Sequence, residues 1–432
     1  MITGFFVFLK RVIRTDIVRV FSFTALSTLV RMLTGFISVK VVAVLIGPTG
    51  IALLGQLNNF STMLMNFACG GINSGVTKYL AEYRTSEVKV KTLLSTALRI
   101  TVICSVVCSA GMFIFYKWLS RTLLFSDEYG YVFIIFGFTI LLYALNMLIA
   151  SVLNGYMEFR KFVWVNIAGS VFGVLFTLAF VYFGQLAGAL VSAVTFQSVM
   201  FFVSLWMVRK MPWVSRDYFR AEFDHDTARK YFRYSLMTLM ALGLGPLAQL
   251  FLRSYVITHI SSIEAGWWEA MNRLSGMYLS VITSAFGVYY LPRLSELKNR
   301  NELRHEVFKA YKVILPVLIA GCLFIYFFRF FIIRILFTPD FIPMEHLFKW
   351  QLCGDLFKIA GWLLAYIMVA KSMTKIYITT EILFNASYVV LGLVLVRYQG
   401  IAGMTLAYFI NYIFYLGIML IVFRKLLFFK TT

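Results

Sequence analysis

Basic side chains recur inside the long apolar segments of this sequence. Arg31, Arg253, Arg273 and Lys358 lie near the middle of such segments. A cation at the centre of a membrane-spanning helix costs roughly 2.5–3.5 kcal/mol on insertion scales, so we expect these side chains to face protein or water rather than lipid. Lys40 lies closer to the end of its segment, from where its long side chain can also extend to the membrane surface.

Acidic side chains inside the apolar segments are fewer, and the main ones are Glu269, Asp355 and Glu381. Glu269 precedes Arg273 by four residues and Asp355 precedes Lys358 by three, which are the spacings of ion pairs on one helix face. Two interpretations stay open: these acids neutralise the nearby cations, or they titrate and couple transport to an ion. In either case positive charge is in excess. A cavity with unpaired cations favours an anion, for which a diphosphate is the multivalent candidate.

Polar residues also recur at every third or fourth position within the apolar segments, which is typical of one face of a helix. The clearest stripe runs from residue 56 to residue 73 and includes Asn59, Asn66 and Asn73. Similar stripes occur in the first pair of spans of each half of the chain. We expect them to line a transport pathway. The alternative is that they pack helices against one another.

The composition predicts that these stripes belong to a membrane-embedded fold. Hydrophobic residues make up 61% of the 432 residues and charged residues 14%, whereas soluble domains are close to half apolar and a quarter charged. Apolar runs of this length predict an all-α integral membrane protein with about twelve transmembrane helices. The predicted spans are 18–46, 51–77, 92–117, 131–154, 162–183, 187–208, 233–258, 265–290, 313–337, 346–370, 376–396 and 402–423.

The loops between these spans predict the orientation of the chain. Most Lys and Arg residues outside the spans lie in loops on one side, whereas the loops on the other side contain only Arg121 and Arg397. Basic loops stay in the cytoplasm, so both termini are predicted to be cytoplasmic. The largest cytoplasmic loop divides the chain into an N-terminal lobe (1–208), a linker (209–232) and a C-terminal lobe (233–432).

The two halves resemble each other at an offset of about 212–216 residues. Lys161 then aligns with Lys375, and Gly188 with Gly403. Since six spans per half is an even number, both halves have the same orientation. They should therefore form two parallel-repeat six-helix lobes related by an axis along the membrane normal, with a substrate site between them.

The sequence lacks the motifs of several classes of protein. The sequence contains no phosphate-binding loop for ATP and no hydrolase or metalloprotease motif, which argues against an enzyme and against a cofactor. Its five cysteines and four histidines have no metal-ligand spacing. The net charge of +21 fits cytoplasmic basic loops and attraction to anionic lipid better than nucleic-acid binding.

Three blocks of sequence carry a resemblance to a known family. Residues 27–60, 73–83 and 348–372 resemble the Wzx-type flippases of the multidrug/oligosaccharidyl-lipid/polysaccharide (MOP) exporter superfamily, in particular the translocases for O-antigen units and the enterobacterial common antigen intermediate. The resemblance implies a MATE-like fold in a bacterial inner membrane. It also implies a substrate of undecaprenyl diphosphate bearing a short glycan, and partners such as the polymerase and chain-length regulator of the same pathway.

The resemblance also assigns residues. Arg31, Lys40 and Lys78 fall at the basic positions of the first two blocks, and Asp355 and Lys358 fall in the third. The working hypothesis is that Arg31, Arg253 and Arg273 contact the diphosphate, with Lys40 and Lys358 as further candidates. The remaining candidates, for sugar contacts, are Asn59, Asn66, Asn73, Trp350 and Gln351.

Two other classes of protein compete with this hypothesis. A MATE-like multidrug or cation antiporter would need unpaired carboxylates in its spans, and the first six predicted spans have almost none near their centres. A polymerase or glycosyltransferase would need a large outer loop or an acidic metal-binding motif, and neither occurs in the sequence.

Overall fold

The computed structural model describes residues 16–428, and every regular element in that range is helical. The predicted lobes also include residues 1–15 and 429–432, which lie outside the described residues. The helices are α1 (Asp16–Ala68), α2 (Asn73–Tyr83), α3 (Glu87–Leu124), α4 (Gly130–Gly155), α5 (Phe159–Val208), α6 (His225–His259), α7 (Ser262–Ala285), α8 (Leu291–Glu296), α9 (Arg300–Phe327), α10 (Arg329–Leu336), α11 (Phe348–Ala370), α12 (Thr374–Gln399), α13 (Ala402–Val422) and α14 (Arg424–Phe428). A π-helical turn (Phe286–Tyr290) joins α7 to α8, and three 3-10 helices (Pro212–Val214, Arg216–Phe219 and Pro339–Leu347) lie between the longer helices.

Nine helices of the described range are long and apolar enough to cross a membrane. Two of them, α1 and α5, are each broken by a residue with non-helical backbone angles, Gly47 and Gln185. A further helix, α7, has span length but carries Glu269 and Arg273, so it does not meet the same apolar criterion. The chain is therefore a multi-pass all-α membrane protein, while the count of twelve spans stays a prediction.

The turns repeat at an offset of 215 residues. Met157 (φ 59°) ends α4 with the left-handed backbone that Ser372 (φ 54°) adopts after α11. The next turn repeats as well, because Gln185 (φ 45°) occupies the place of Gly400 (φ 59°). The hydrogen bonds agree with this correspondence: the Glu158 amide donates to Leu153 O, and the Met373 amide donates to Met368 O. The predicted repeat is thus confirmed in the backbone geometry.

Two glycines at the same offset permit close packing after these turns. A Cβ atom on Gly188 would collide with the carbonyl oxygen of Phe180, and one on Gly403 would collide with that of Leu395. Each glycine lets a helix cross the preceding helix at backbone contact. The alignment of Gly188 with Gly403 therefore has a structural cause.

The two halves meet along few helices. In the first half α5 packs along α1 and α4, and in the second half α13 packs along α11 and α12. The main contacts between the halves are those of α1 with α7 and α6. These helices contain the predicted spans 1, 2, 7 and 8, which carry the polar stripes.

The loop after α5 packs onto one end of the first half. Trp213 is buried in a small apolar core with Leu94 and Val152. Arg99 is held by the same loop, since its Nη2 donates to Ala221 O at 3.1 Å. Asp224 ends the loop and caps α6, and the hydroxyl of Thr227 lowers the pKa of its carboxyl group. The loop therefore connects the two halves at a fixed place, although the predicted lobe boundaries stay a prediction.

Candidate functional site

A cavity of about 340 Å³ lies mainly within the second half of the chain, beside α1, from which Asn59 reaches its wall, and we call it the central cavity. Six of the predicted site residues line it: Asn59, Arg253, Glu269, Arg273, Gln351 and Lys358. They come from four different helices, α1, α6, α7 and α11. Gln249, from the polar stripe of predicted span 7, lines the cavity as well. The cavity also contains polar residues that the sequence did not single out, namely Asn272, Ser275, Asn385, Tyr388, Tyr408 and Tyr412.

Glu269 joins two arginines of this cavity. Its Oε2 accepts from Arg253 Nη2 at 2.5 Å, and its Oε1 accepts from Arg273 Nε at 2.8 Å. The predicted pair of Glu269 with Arg273 is therefore confirmed, while Arg253 joins it from α6. One carboxylate between two guanidinium groups leaves one positive charge in excess. The Arg253 side chain is only 1% exposed, so this charge lies away from lipid and solvent.

Several donors around this ion pair have no partner. Arg253 Nε and Nη1, Arg273 Nη2 and Asn272 Nδ2 are buried and form no hydrogen bond with the described residues. A buried donor without a partner costs roughly 1–3 kcal/mol, and more when it is charged. An anion in the cavity would satisfy these donors, and guanidinium groups suit phosphate oxygens in particular.

Lys358 approaches the central cavity from α11 across aromatic rings. Its Nζ lies 4.9 Å from the ring centroid of Trp362 and 5.6 Å from those of Tyr408 and Tyr412. In the described part of the chain this ammonium group has no carboxylate within 4 Å. The expected ion pair of Lys358 with Asp355 is therefore wrong.

The carboxylate of Asp355 points elsewhere because hydroxyl groups surround it. It accepts from Ser275 Oγ and from Tyr408 Oη, each at 2.7 Å, and also from Tyr278 Oη. These donors come from α7 and α13, so the tertiary packing decides the orientation of this side chain. Asp355 is fully buried and links three helices behind the wall of the central cavity.

A second cavity of about 280 Å³ lies on the side of the first half, between α1 and α5. Arg31, Thr34, Ser38 and Asn58 line it, and Arg273 lines both this cavity and the central one. The Arg31 guanidinium group forms no ion pair or hydrogen bond with the described residues. Two adjoining cavities thus contain four basic side chains. Arg31 lines the second cavity, Arg253 and Lys358 line the central cavity, and Arg273 lines both.

Comparison with known sequences identifies the family. Residues 17–298, which are 282 of the 432 residues, match the family described as "Polysaccharide biosynthesis protein". The chain belongs to this family.

Relatives and solved structures agree with this assignment. The chain is 27% identical over 395 residues, 91% of its length and 95% of the relative, to proteins named "Lipid III flippase" from Escherichia coli (strain K12) and Shigella flexneri. Among solved structures, an inward-facing MATE transporter of the MOP superfamily aligns with a TM-score of 0.79, at 14% identity, over 92% of this chain and 98% of that chain. The lipid II flippase MurJ in an inward closed conformation aligns with a TM-score of 0.75, at 15% identity, over 93% and 87%. The predicted MATE-like fold is confirmed.

Five of the predicted substrate-binding residues line neither the central nor the second cavity, namely Lys40, Asn66, Asn73, Lys78 and Trp350. Asn66 Nδ2 donates to Thr62 O within its own helix at 2.9 Å, and Asn73 is the first residue of α2. Lys78 lies on α2, over the ring of Tyr79 at 5.0 Å. Trp350 stacks on Phe409 at 5.5 Å and is not among the residues that line the central cavity. Contact of these residues with a substrate stays a prediction.

Lys40 lies at a contact between the halves. Its Nζ donates to Phe337 O at 2.7 Å and to Arg334 O at 3.4 Å, at the end of α10. The last carbonyl groups of a helix lack partners within the helix, and a lysine at that end satisfies them. Lys40 is thus part of a contact between the halves and lines no cavity.

The polar residues that sequence reasoning missed had partial signals. Asn272 directly precedes Arg273, and Tyr408, Tyr412 and Tyr415 are spaced four and three apart, on one face of α13. An aromatic stripe inside an apolar span usually indicates packing. Only the fold shows that this one faces a cavity.

Proposed function

We propose that this protein translocates an undecaprenyl-diphosphate-linked oligosaccharide from the cytoplasmic to the periplasmic leaflet of a bacterial inner membrane. The observation that carries the proposal is the group of buried arginine donors without partners around Glu269, in the wall of the central cavity. The diphosphate is negatively charged whatever glycan is attached, so it is the part of such a substrate that these donors would bind. The names of the curated relatives support the same class of substrate.

In this proposal the diphosphate binds in the central cavity. Arg273 and Arg253 supply the guanidinium donors, Lys358 adds a third positive charge, and Arg31 extends the positive surface along α1. Glu269 holds both arginines in place, so they are oriented before the substrate arrives. Preorganised donors bind an anion better than mobile ones because less entropy is lost on binding.

Alternating access then requires that contacts between the halves break. With both termini in the cytoplasm, the turn at residues 47–50 lies at the periplasmic end. There Thr49 Oγ1 lies 3.3 Å from Ser262 Oγ, and Lys40 binds the end of α10. We infer that these contacts close the periplasmic side and that they separate when the substrate is released.

The alternative of a cation antiporter has less support. The carboxylate of Glu269 is held by two arginines and that of Asp355 by three hydroxyl groups, so neither presents a free negative charge to the central cavity. Four basic side chains, those of Arg31, Arg253, Arg273 and Lys358, repel a cationic substrate. Ion coupling through Glu269, Asp355 or Glu381 stays a prediction, as do the partnerships with a polymerase and a chain-length regulator.

The test is to delete the gene in its host and to locate the lipid-linked glycan. We expect the glycan to accumulate on the cytoplasmic leaflet and to be cleared by the wild-type gene. Arg273→Gln should fail to clear it, whereas Arg293→Gln should clear it, because Arg293 forms its pair with Glu296 on the surface. Accumulation of single units on the periplasmic leaflet would instead indicate a polymerase, and an unchanged glycan would contradict the proposal.

A further inference from the structure

A third cavity of about 510 Å³ lies in the second half of the chain, among α11, α12 and α13, and we call it the aromatic cavity. It adjoins the central cavity, because Gly245, Phe384, Asn385 and Tyr412 line both. Its size falls within the range of about 300–1,000 Å³ typical of ligand pockets. Among its polar and aromatic residues, sequence reasoning singled out only Glu381.

Rings form most of the walls of the aromatic cavity. Besides Phe384 and Tyr412, they are those of Trp362, Tyr366, Tyr377 and Tyr415. No lysine, arginine or histidine lines it within the described residues. The diphosphate therefore has no partner in this cavity and belongs in the central one.

One carboxylate, that of Glu381, also lines the aromatic cavity. In the part of the chain that the structure describes, it forms no ion pair within 4 Å, and the phenol of Tyr415 is its hydrogen-bond partner. Its two oxygens can accept hydrogen bonds from hydroxyl groups, and the phenol groups of Tyr366 and Tyr377 can both donate and accept. The cavity thus combines flat apolar faces with a few polar groups.

A pyranose ring matches this combination. Its C–H groups form an apolar face that packs on an aromatic ring, and its hydroxyl groups bind carboxylates and phenols. We propose that the aromatic cavity binds the first sugars of the glycan while the diphosphate occupies the adjoining central cavity. This inference rests on the proposed function, and it gives the sugar a site different from Trp350, which stacks on Phe409 away from the cavity.

An aromatic cavity with a carboxylate could also suit an organic cation. The position of Lys358 argues against that ligand. Its ammonium group already lies over Trp362 and Tyr412, two rings that line the aromatic cavity. A cationic ligand would therefore meet a like charge where it would need a free ring face.

The test compares two lipid probes with the purified full-length protein. One is undecaprenyl diphosphate, and the other is the same lipid bearing the oligosaccharide extracted from the host. We expect Tyr377→Leu and Tyr366→Leu to raise the Kd of the glycan-bearing probe about three- to tenfold each. The Kd of undecaprenyl diphosphate should stay within about twofold. Tyr398→Leu is the matched control, since Tyr398 lies on α12 with Tyr377 but is 82% exposed.

The outcomes separate the inference from the proposed function. The sugar site would be overturned if Tyr377→Leu and Tyr366→Leu raised the Kd of both probes equally, or changed the Kd of neither probe. It would also be overturned if tetraphenylphosphonium competed with the glycan-bearing probe. Arg273→Gln should weaken both probes. If neither probe binds the wild-type protein, the proposed function itself fails. If a leucine variant of a ring residue unfolds, Tyr377→Phe and Glu381→Leu replace it in the test. Both remove hydrogen bonds to the sugar, so both should raise only the Kd of the glycan-bearing probe.

Discussion

Gly55 offers the sharpest test of how the two halves meet around Glu269. Gly55 lies on α1, and a Cβ atom at this position would lie 2.5 Å from Glu269 Cδ and 2.8 Å from its Cγ and Oε1. Ordinary contact begins at 3.4 Å, so Gly55→Ala must displace the carboxyl group by about 0.9 Å. The methyl group would thus act directly on the ion pair between the halves.

The displacement weakens the bonds that Glu269 forms. Its oxygens lie 2.5 Å from Arg253 and 2.8 Å from Arg273, and a shift of about 0.9 Å away from either partner lengthens that distance to about 3.4–3.7 Å, beyond the normal hydrogen-bond distance. Overpacking of a tight site costs about 1–3 kcal/mol, and complete loss of one partner of a buried pair costs about 3–5 kcal/mol. We expect Gly55→Ala to lower the free energy of unfolding by about 1–3 kcal/mol, because one of the two bonds can persist.

Denaturant unfolding of the purified protein measures this change, and glycan clearance in the deletion host measures transport. Gly111→Ala is the matched control, because Gly111 lies within α3 and nothing is found within 4 Å of its added Cβ atom. Replacing a helical glycine that has room for a Cβ atom by alanine is expected to stabilise the fold by about 0.5–1 kcal/mol. If Gly55→Ala unfolds and transports like the wild type, then Glu269 is not held between the halves as described.

Three further predictions follow from the geometry. Arg253→Gln should lower the free energy of unfolding by about 3–5 kcal/mol, measured by denaturant unfolding. Adding Glu269→Gln should restore part of that loss, and a double variant as unstable as Arg253→Gln would contradict the pairing of Arg253 with Glu269. Gln185→Gly should raise the free energy of unfolding by about 1 kcal/mol, because glycine adopts this positive φ without strain. Gly400→Gln should lower the free energy of unfolding by about 1–3 kcal/mol for the converse reason. Changes of the opposite sign would show that the backbone at these two turns is not strained. Lys40→Met should lengthen spin-label distances between the ends of the two halves that Lys40 and α10 join, and unchanged distances would show that Lys40 does not hold them together.

Local patterns in the sequence predicted the local features of the site. The pairing of Glu269 with Arg273 followed from their spacing, since residues four apart on a helix are always neighbours. The stripes on spans 1, 2, 7 and 8 likewise identified the helices that meet between the halves. The repeat was visible in part because Gly188 and Gly403 each permit the same backbone contact between helices.

Tertiary packing determined the side-chain partners that residue spacing along the sequence could not predict. Asp355 and Lys358 have the spacing of an ion pair, but hydroxyl groups from two other helices bind the carboxylate. Arg253 pairs with Glu269 because α6 and α7 are adjacent, a fact that no periodicity within either helix contains. Trp350 and Lys358 both lie on α11, and only the neighbouring helices determine that Lys358 faces the cavity and Trp350 does not.

The central claim is that this chain moves a lipid-linked glycan across a bilayer through a cavity of buried arginines. The most direct measurement uses proteoliposomes that contain an undecaprenyl-diphosphate-linked oligosaccharide on the inner leaflet, with a lectin outside to report exposure of the glycan. We predict that the wild-type protein and Arg293→Gln expose the glycan, while Arg273→Gln and protein-free vesicles do not. Equal exposure by the wild type and Arg273→Gln, or none by the wild type, would contradict the account.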